Sequence, residues 1–179
     1  MKHLTKQLLK AILFISIISV YTCSLSAQNN HDKEKIEIII KLTKFINWSQ
    51  NSSFSGTKKM LYVLTEKRFN INYELKSVPS NKYGEWEIIF SENLNEIENG
   101  AVIFIANNQK EKAQRVIELS KRADILTISD NIDNFCSKGG MINLNDMADR
   151  IQFEINYPLI QNKSLEISSK VLALAKIYD

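Results

Sequence analysis

Two covered strands on either side of one amphipathic helix restrict the fold of this chain more than any other feature of its sequence. AVIFIA (101–106) is apolar throughout and DILTISD (124–130) carries Ile125, Leu126 and Ile128, as in strands buried on both faces of a sheet. Between them, KEKAQRVIELSKR (110–122) repeats its apolar residues at helical spacing. Strand, helix and strand joined by short connections form parallel neighbours, so this segment predicts an α/β domain.

The same alternation extends toward the N-terminus. KEKIEIIIKLTKFINW (33–48) is too long for one strand, and its helical spacing predicts a helix that ends at Trp48. MLYVLT (60–65) and EWEIIF (85–90) predict strands. We therefore expect a Rossmann-like, three-layer fold in which a mostly parallel sheet is flanked by helices.

Two further segments predict short helices. FNINYELKSV (69–78) fits both a strand and one helical face, and the Pro79 and Gly84 that follow it favour the helix. SENLNEIEN (91–99) has the pattern of a short capped helix. For Trp48 and Trp86 we expect a role in core or loop packing, in preference to a binding hot spot.

The pattern changes after residue 130. MINL (141–144) and RIQFEIN (150–156) predict strands, and the short polar loop between them predicts a C-terminal antiparallel hairpin. Because strand side chains alternate, we expect Phe153 to face the core and Glu154 and Asn156 to face the other way. Asn156 is also the expected cap of a short helix that follows.

The last segment predicts a helix, SSKVLALAKIYD (168–179), preceded by an extended LEI (165–167). Ser168 is its expected N-cap. The expected buried face consists of Val171, Leu172, Leu174, Ala175 and Tyr178.

Residues 1–27 have the organisation of a cleaved signal peptide. Lys2, Lys6 and Lys10 precede an apolar run at 11–21, and small residues lead to a cleavage site before Gln28. An uncleaved membrane anchor is the alternative, but a span needs roughly 20 apolar residues. We expect an exported, periplasmic protein with one domain over residues 28–179.

Several classes of function are disfavoured by the composition. The net charge of +3 comes from the three lysines of the leader, so the mature chain lacks the basic excess of a nucleic-acid binder. His31 is the sole histidine after the leader, which leaves no base for a nucleophilic triad and no His/Cys metal site. We expect no enzyme activity and no cofactor.

The stretch FCSKGGMINL (135–144) admits three interpretations: a phosphate-binding loop, a redox site or a turn. No Lys-Ser pair follows Gly139-Gly140, so a P-loop is disfavoured. A glycine with positive φ between a helical turn and a strand explains the pair without a ligand. Cys136 is the sole cysteine after the leader, so it forms no internal disulfide, and we expect a half-buried hydrophobe.

Five segments together resemble the YfiR-like family of periplasmic proteins. They are KFINW (44–48), ILTISD (125–130), GGMINL (139–144), RIQFEIN (150–156) and LEISSKVLALAK (165–176). The resemblance implies a compact α/β domain without enzymatic activity. It also implies a regulator, since the best-known members repress a membrane-bound diguanylate cyclase by binding its periplasmic part. Other members accompany sensor histidine kinases.

The resemblance also bears on Cys136. Family members carry a second cysteine shortly after the Gly-Gly pair, whereas Met141 to Leu144 contain none. An intramolecular redox switch of that kind is therefore absent, and only a bridge between two chains remains open.

The expected binding residues are Glu154, Asn156, Ser168, Ser169 and Lys170. For the first two, a solvated strand face is the alternative; for the other three, it is simple N-capping by Ser168. Two functions stay open: a regulator that binds an inner-membrane diguanylate cyclase or sensor kinase, and a module that binds a small molecule at the carboxyl ends of the parallel strands. A homodimer is also left open.

Overall fold

The computed structural model of the protein describes residues 34–48, 53, 59–66, 86–147 and 150–178. The expected leader, the tail that contains His31 and the expected helix at 69–78 lie outside the described residues.

The described part of the chain alternates strands with helices. In chain order the elements are α1 (34–43), β1 (Ile46–Asn47), β2 (Lys59–Leu64), β3 (Trp86–Ser91), β4 (Ala101–Ile105), α2 (Ala113–Arg122), β5 (Ile125–Asp130), β6 (Ile142–Met147), β7 (Arg150–Asn156), α3 (Tyr157–Asn162), β8 (Glu166–Ile167), α4 (Ser169–Leu172) and β9 (Ala175–Tyr178).

Seven of the described strands form one sheet in the order β3-β2-β4-β5-β6-β7-β9. From β3 through β2, β4 and β5 to β6, each strand is parallel to the next. Strand β7 then returns antiparallel to β6. The expectation of a mostly parallel sheet with a C-terminal antiparallel hairpin is therefore confirmed. A second, two-stranded sheet pairs β1 with β8.

Each face of the main sheet is covered by one long helix, which gives three layers. Ile36 and Ile39 of α1 pack on one face against strand residues such as Leu126. Val116 and Ile117 of α2 pack on the other. The apolar residues of both helices recur at the helical period, so each helix turns one stripe to the sheet.

A buried ion cluster fixes the start of α1 to the carboxyl ends of two strands. Lys35 Nζ lies 2.6 Å from Asp130 Oδ1 and 2.8 Å from Asp146 Oδ2. Burial by itself would lower the pKa of Lys35, but the hydrogen bonds to both aspartates outweigh it, so the pKa lies above its ordinary value. Lys35 therefore stays charged and holds α1 on the sheet.

The first helix is shorter than its sequence predicts. It ends at residue 43, and the chain then turns into β1, where Ile46 pairs with Ile167 of β8. The Trp48 indole donates a hydrogen bond to the Thr43 carbonyl at 3.0 Å. Its ring lies 6.1 Å from that of Trp86 in an edge-to-face contact, so the packing role expected for both tryptophans is confirmed.

The segment at 91–99 forms only a single 3₁₀ turn, Leu94–Glu96. The Asn93 side chain caps it by accepting a hydrogen bond from the Asn95 N–H at 3.0 Å. The segment before α2, Asn107–Lys112, is also 3₁₀ rather than α-helix. The expected helix at 110–122 is therefore confirmed from Ala113 onward.

The expected final helix at 168–179 is wrong beyond its first turn. Ser168 caps α4 as predicted, but α4 ends at Leu172, and β9 follows as an edge strand parallel to β7. Leu174, expected in the buried face, is 73% exposed. Pairing satisfies the free backbone groups on the edge of β7, and Lys176 and Tyr178, two positions apart, both reach Glu154.

The Gly139-Gly140 pair forms the expected turn, with a different reason for each glycine. Gly139 has φ of +105°, which confirms the positive φ. Gly140 is instead required by packing, since a Cβ there would lie 2.2 Å from the Phe135 ring. Cys136 is fully buried rather than half-buried.

Candidate functional site

An apolar groove with a cavity volume of about 290 Å³ lies between α1, β7 and α4. Its lining consists of Ile38, Lys41, Leu42, Phe45, Phe153, Lys170, Val171 and Leu174. Phe45 is 47% exposed and Leu174 is 73% exposed, although both are large hydrophobic residues. An exposed apolar surface of this kind, with polar residues at its edge, is typical of a binding site.

The small β1–β8 sheet holds Phe45 in this exposed position. Ile46 and Asn47 pair with Ile167 and Glu166, and the Ser168 N–H donates to the Phe45 carbonyl at 2.9 Å. The backbone on both sides of Phe45 is therefore anchored while its ring faces the groove.

The charged residues that line the groove are lysines. Lys41 of α1 and Lys170 of α4 both line it and are both exposed. Lys44 adds a third exposed positive charge beside Phe45, in a polar depression that it shares with Glu166 and Ser168. The groove thus combines an apolar floor with a cationic edge.

The expected site residue Glu154 is not on a solvated face, because it is only 8% exposed. Its carboxylate accepts hydrogen bonds from Asn143 Nδ2 at 3.3 Å, Lys176 Nζ at 3.1 Å and the Tyr178 hydroxyl at 3.2 Å. Asn143 in turn accepts from the Ser129 hydroxyl at 2.6 Å. Glu154 therefore joins three strands of the sheet.

The protonation of Glu154 follows from these partners. Burial by itself would raise the pKa of its carboxyl, but the hydrogen bonds from Asn143, Lys176 and Tyr178 outweigh burial and hold the pKa below its ordinary value. The carboxylate stays charged at neutral pH and keeps β9 on the edge of β7.

Asn156 also has a structural role. Its Oδ1 accepts from the Leu159 N–H at 3.3 Å, which confirms the predicted cap of α3. Its Nδ2 donates to the Cys136 carbonyl at 3.0 Å and so fixes the turn that precedes β6.

The five expected site residues do not form one surface. Glu154 and Asn156 lie on the α2 side of the sheet, with Tyr178. Lys170 lines the groove on the α1 side, together with Phe153, which points opposite to Glu154. Ser168 is half-buried as the cap of α4, and Ser169 is exposed beside it.

Of the residues that line the groove, Lys170 was the one expected as a site residue, and the exposed Phe45 and Leu174 were missed. Leu174 was expected in the buried face of a longer final helix, and Phe45 lies in the segment whose spacing predicted a first helix that ends at Trp48. A usable signal was present in the resemblance itself, because three of its five segments, KFINW, RIQFEIN and LEISSKVLALAK, contribute residues to this groove.

The Cys136 thiol is unsuited to chemistry. Burial, together with the nearby charge of Glu154, raises its pKa to about 12, so the reactive thiolate is negligible at neutral pH. Across residues 34–178, apart from the undescribed gaps, no group of three or more His, Cys, Asp or Glu side chains could hold a metal ion. None of the helices described is long and apolar enough to cross a membrane.

Comparison with solved structures shows the fold. The chain is similar to a protein from Streptococcus pneumonia described as an ABC domain in complex with L-Trp, with 13% sequence identity and a TM-score of 0.52. The match covers 77% of this chain and 58% of that protein, so this chain spans a little over half of its length. At this identity the likeness concerns the α/β fold alone.

Comparison with families is more specific. None of the curated proteins compared with the chain matches it. The YfiR/HmsC-like family matches residues 32–176, which includes α1, the groove and both sheets up to the start of β9. The resemblance carried by the five segments is therefore confirmed, and the chain belongs to the YfiR/HmsC-like family.

Proposed function

We propose that this protein is a non-enzymatic periplasmic regulator that binds the periplasmic region of an inner-membrane diguanylate cyclase or sensor kinase and modulates its output. Family membership carries the proposal, because YfiR-like proteins are periplasmic regulators of diguanylate cyclase activity in general. The apolar groove supports it, because a regulator without chemistry of its own acts through a binding surface.

The groove indicates what kind of partner segment it binds. Phe45 and Leu174 offer a large apolar contact, and a few residues in desolvated pockets near the centre of an interface give most of its binding energy. Lys41 and Lys170 lie at the edge, where opposite charges mainly provide orientation and specificity. The occupant is therefore an apolar segment of the partner's periplasmic region, flanked by aspartate or glutamate.

A deletion strain tests this function in the cell. Removing the gene changes cytoplasmic cyclic-di-GMP, or the phosphorylation of the response regulator of a sensor kinase. The wild-type gene and a Met147→Ala variant restore the output, whereas Phe45→Ala does not. Met147 is a matched control, since it is an exposed apolar residue outside the groove lining. Unchanged outputs in the deletion strain contradict the proposal.

The same strain tests export. The proposal requires cleavage near Gln28, which mass spectrometry of the purified protein measures. A gene that lacks codons 1–27 should make a protein that stays in the cytoplasm and fails to restore the output. A cytoplasmic product that still carries Met1 to Lys10 contradicts this part of the proposal.

A further inference from the structure

The order of the strands reverses next to β2, and in open α/β sheets such a reversal leaves a crevice outside the carboxyl ends of the strands. The chain runs from β2 to β3 on one side and then crosses to β4 on the other. In open α/β sheets, ligands bind outside the carboxyl ends of the strands at such a reversal. Here that position lies between the ends of β2 and β4, far along the sheet from the groove beside β7.

Three consecutive residues with amide side chains follow β4, and the first two of them form hydrogen bonds at these carboxyl ends. Asn107 Nδ2 donates to the carbonyls of Asp130 and Asn131, at 3.2 and 2.9 Å. Asn108 Nδ2 donates to Thr65 Oγ1 at 3.3 Å, directly after β2. The amides thereby connect the end of β4 to the strand on each side of it.

Two oxygen atoms of this amide run are buried without a hydrogen-bond partner. Within the part of the chain that the structure describes, Asn108 Oδ1 and Gln109 Oε1 are the buried side-chain polar atoms left in this state. Gln109 is only 4% exposed, and its φ of −120° interrupts the 3₁₀ segment and sets its side chain apart from the regular turn. Buried acceptors without donors are rare in folded proteins because leaving them unpaired costs stability.

We propose that this crevice is a second binding site, which takes a small molecule through an amino or carboxamide group. Asn108 Oδ1 and Gln109 Oε1 accept hydrogen bonds from the N–H of that group. The two oxygens disfavour an anion, because they repel the oxygens of a carboxylate or phosphate. Asp130 adds no free charge, since Lys35 already pairs with it. The site is independent of the partner-binding groove.

Acetamide and acetate form the matched probe pair, because they share a shape and differ in one amide group against one carboxylate. We expect acetamide, titrated into the ¹⁵N-labelled protein, to shift the backbone signals of Thr65, Asn108 and Gln109 with saturation and to raise Tm. Acetate at the same ionic strength should do neither. Equal responses to both probes, or no response to acetamide, overturn the proposal.

A variant of Gln109 tests the role of the buried oxygen. Gln109→Met keeps the length of the side chain and removes the acceptor, so it should weaken the acetamide response at least tenfold without lowering the Tm of the free protein. Gln161→Met, at an exposed glutamine of α3, is the control and should change neither. A lower Tm for Gln109→Met alone shows that Oε1 already has a partner and overturns the proposal. If this variant does not fold, the wild-type titration with the two probes decides.

Discussion

Glu154 is the residue on which the C-terminal edge of the sheet depends. It lies on β7 and receives donors from β6 and β9, so one carboxylate connects three neighbouring strands. Hydrogen bonds to a charged group contribute about 1.5–3 kcal/mol, and the loss of a buried partner leaves other groups unpaired. An exposed glutamate would contribute far less to stability. The burial and partners of Glu154 therefore indicate a structural role.

Replacing Glu154 should change stability in a pH-dependent way. Its pKa is lower in the folded than in the unfolded state, so its contribution is present above the unfolded value of about 4.3 and is lost as the pH falls through the folded value. We expect Glu154→Gln to lower the free energy of unfolding by about 2 kcal/mol at pH 7 and by less at pH 3. Urea denaturation at both pH values measures this.

The control for that experiment is Glu111→Gln, at an exposed glutamate of the segment before α2, which should stay within about 0.5 kcal/mol of wild type at pH 7. A loss for Glu154→Gln that is as large at pH 3 as at pH 7 contradicts the proposed role of the carboxylate.

Gly140 should be intolerant of any side chain because of the Phe135 ring. An added Cβ would lie 2.2 Å from that ring, and such overpacking costs about 1–3 kcal/mol. We expect Gly140→Ala to destabilise the protein by this amount in a thermal melt. Gly140→Ala should cost less stability in a Phe135→Leu background than in the wild type, since the two sites contact each other. Additive losses point to a backbone effect instead.

At the scale of elements, the strands that were predicted best are those whose own residues indicate burial on both faces of the sheet. AVIFI of β4 is apolar without interruption, and β5 carries Ile125, Leu126 and Ile128, so their burial on both faces follows from local pattern. The hairpin of β6 and β7 followed in the same way from two short runs and the polar loop between them.

The C-terminal element was mispredicted because a distant strand determines it. Val171, Leu172, Ala175 and Tyr178 fit one helical face, and nothing local contradicts that pattern. Residues 175–178 form β9 because they pair with the edge of β7 and because Lys176 binds the buried Glu154. The last twelve residues alone give no sign of either partner. For the same reason the site was only partly predicted: Lys170 lines the groove, whereas Glu154 and Asn156 belong to the opposite face.

Removing β9 tests this assignment. A chain that ends at Ala173 loses the parallel pairing with β7 and both C-terminal donors to Glu154, so we expect a loss of about 3 kcal/mol in the free energy of unfolding. The variant Lys176→Met with Tyr178→Phe keeps the strand and removes only the polar contacts, so its loss should be smaller. A truncated protein that melts like the full chain contradicts the pairing.

In the whole molecule, the two candidate binding surfaces lie near opposite ends of the sheet. The apolar groove lies beside β7 at one end, and the crevice of unpartnered amides lies between β2 and β4 near the other. The sheet between them is covered by α1 and α2 and is continuous through β4, β5 and β6. The two candidate surfaces therefore lie on one continuous sheet and share no lining residue.

The central claim is that the groove binds the periplasmic region of a membrane signalling protein. Calorimetric titration with the purified periplasmic regions of the host's diguanylate cyclases and sensor kinases tests it most directly. With the partner that binds, Phe45→Ala and Leu174→Ser should each weaken the affinity by about 2 kcal/mol, roughly thirtyfold, with little change in Tm. Met147→Ala should bind as wild type does. Wild-type affinity in both groove variants, or an equal loss in Met147→Ala, contradicts the account.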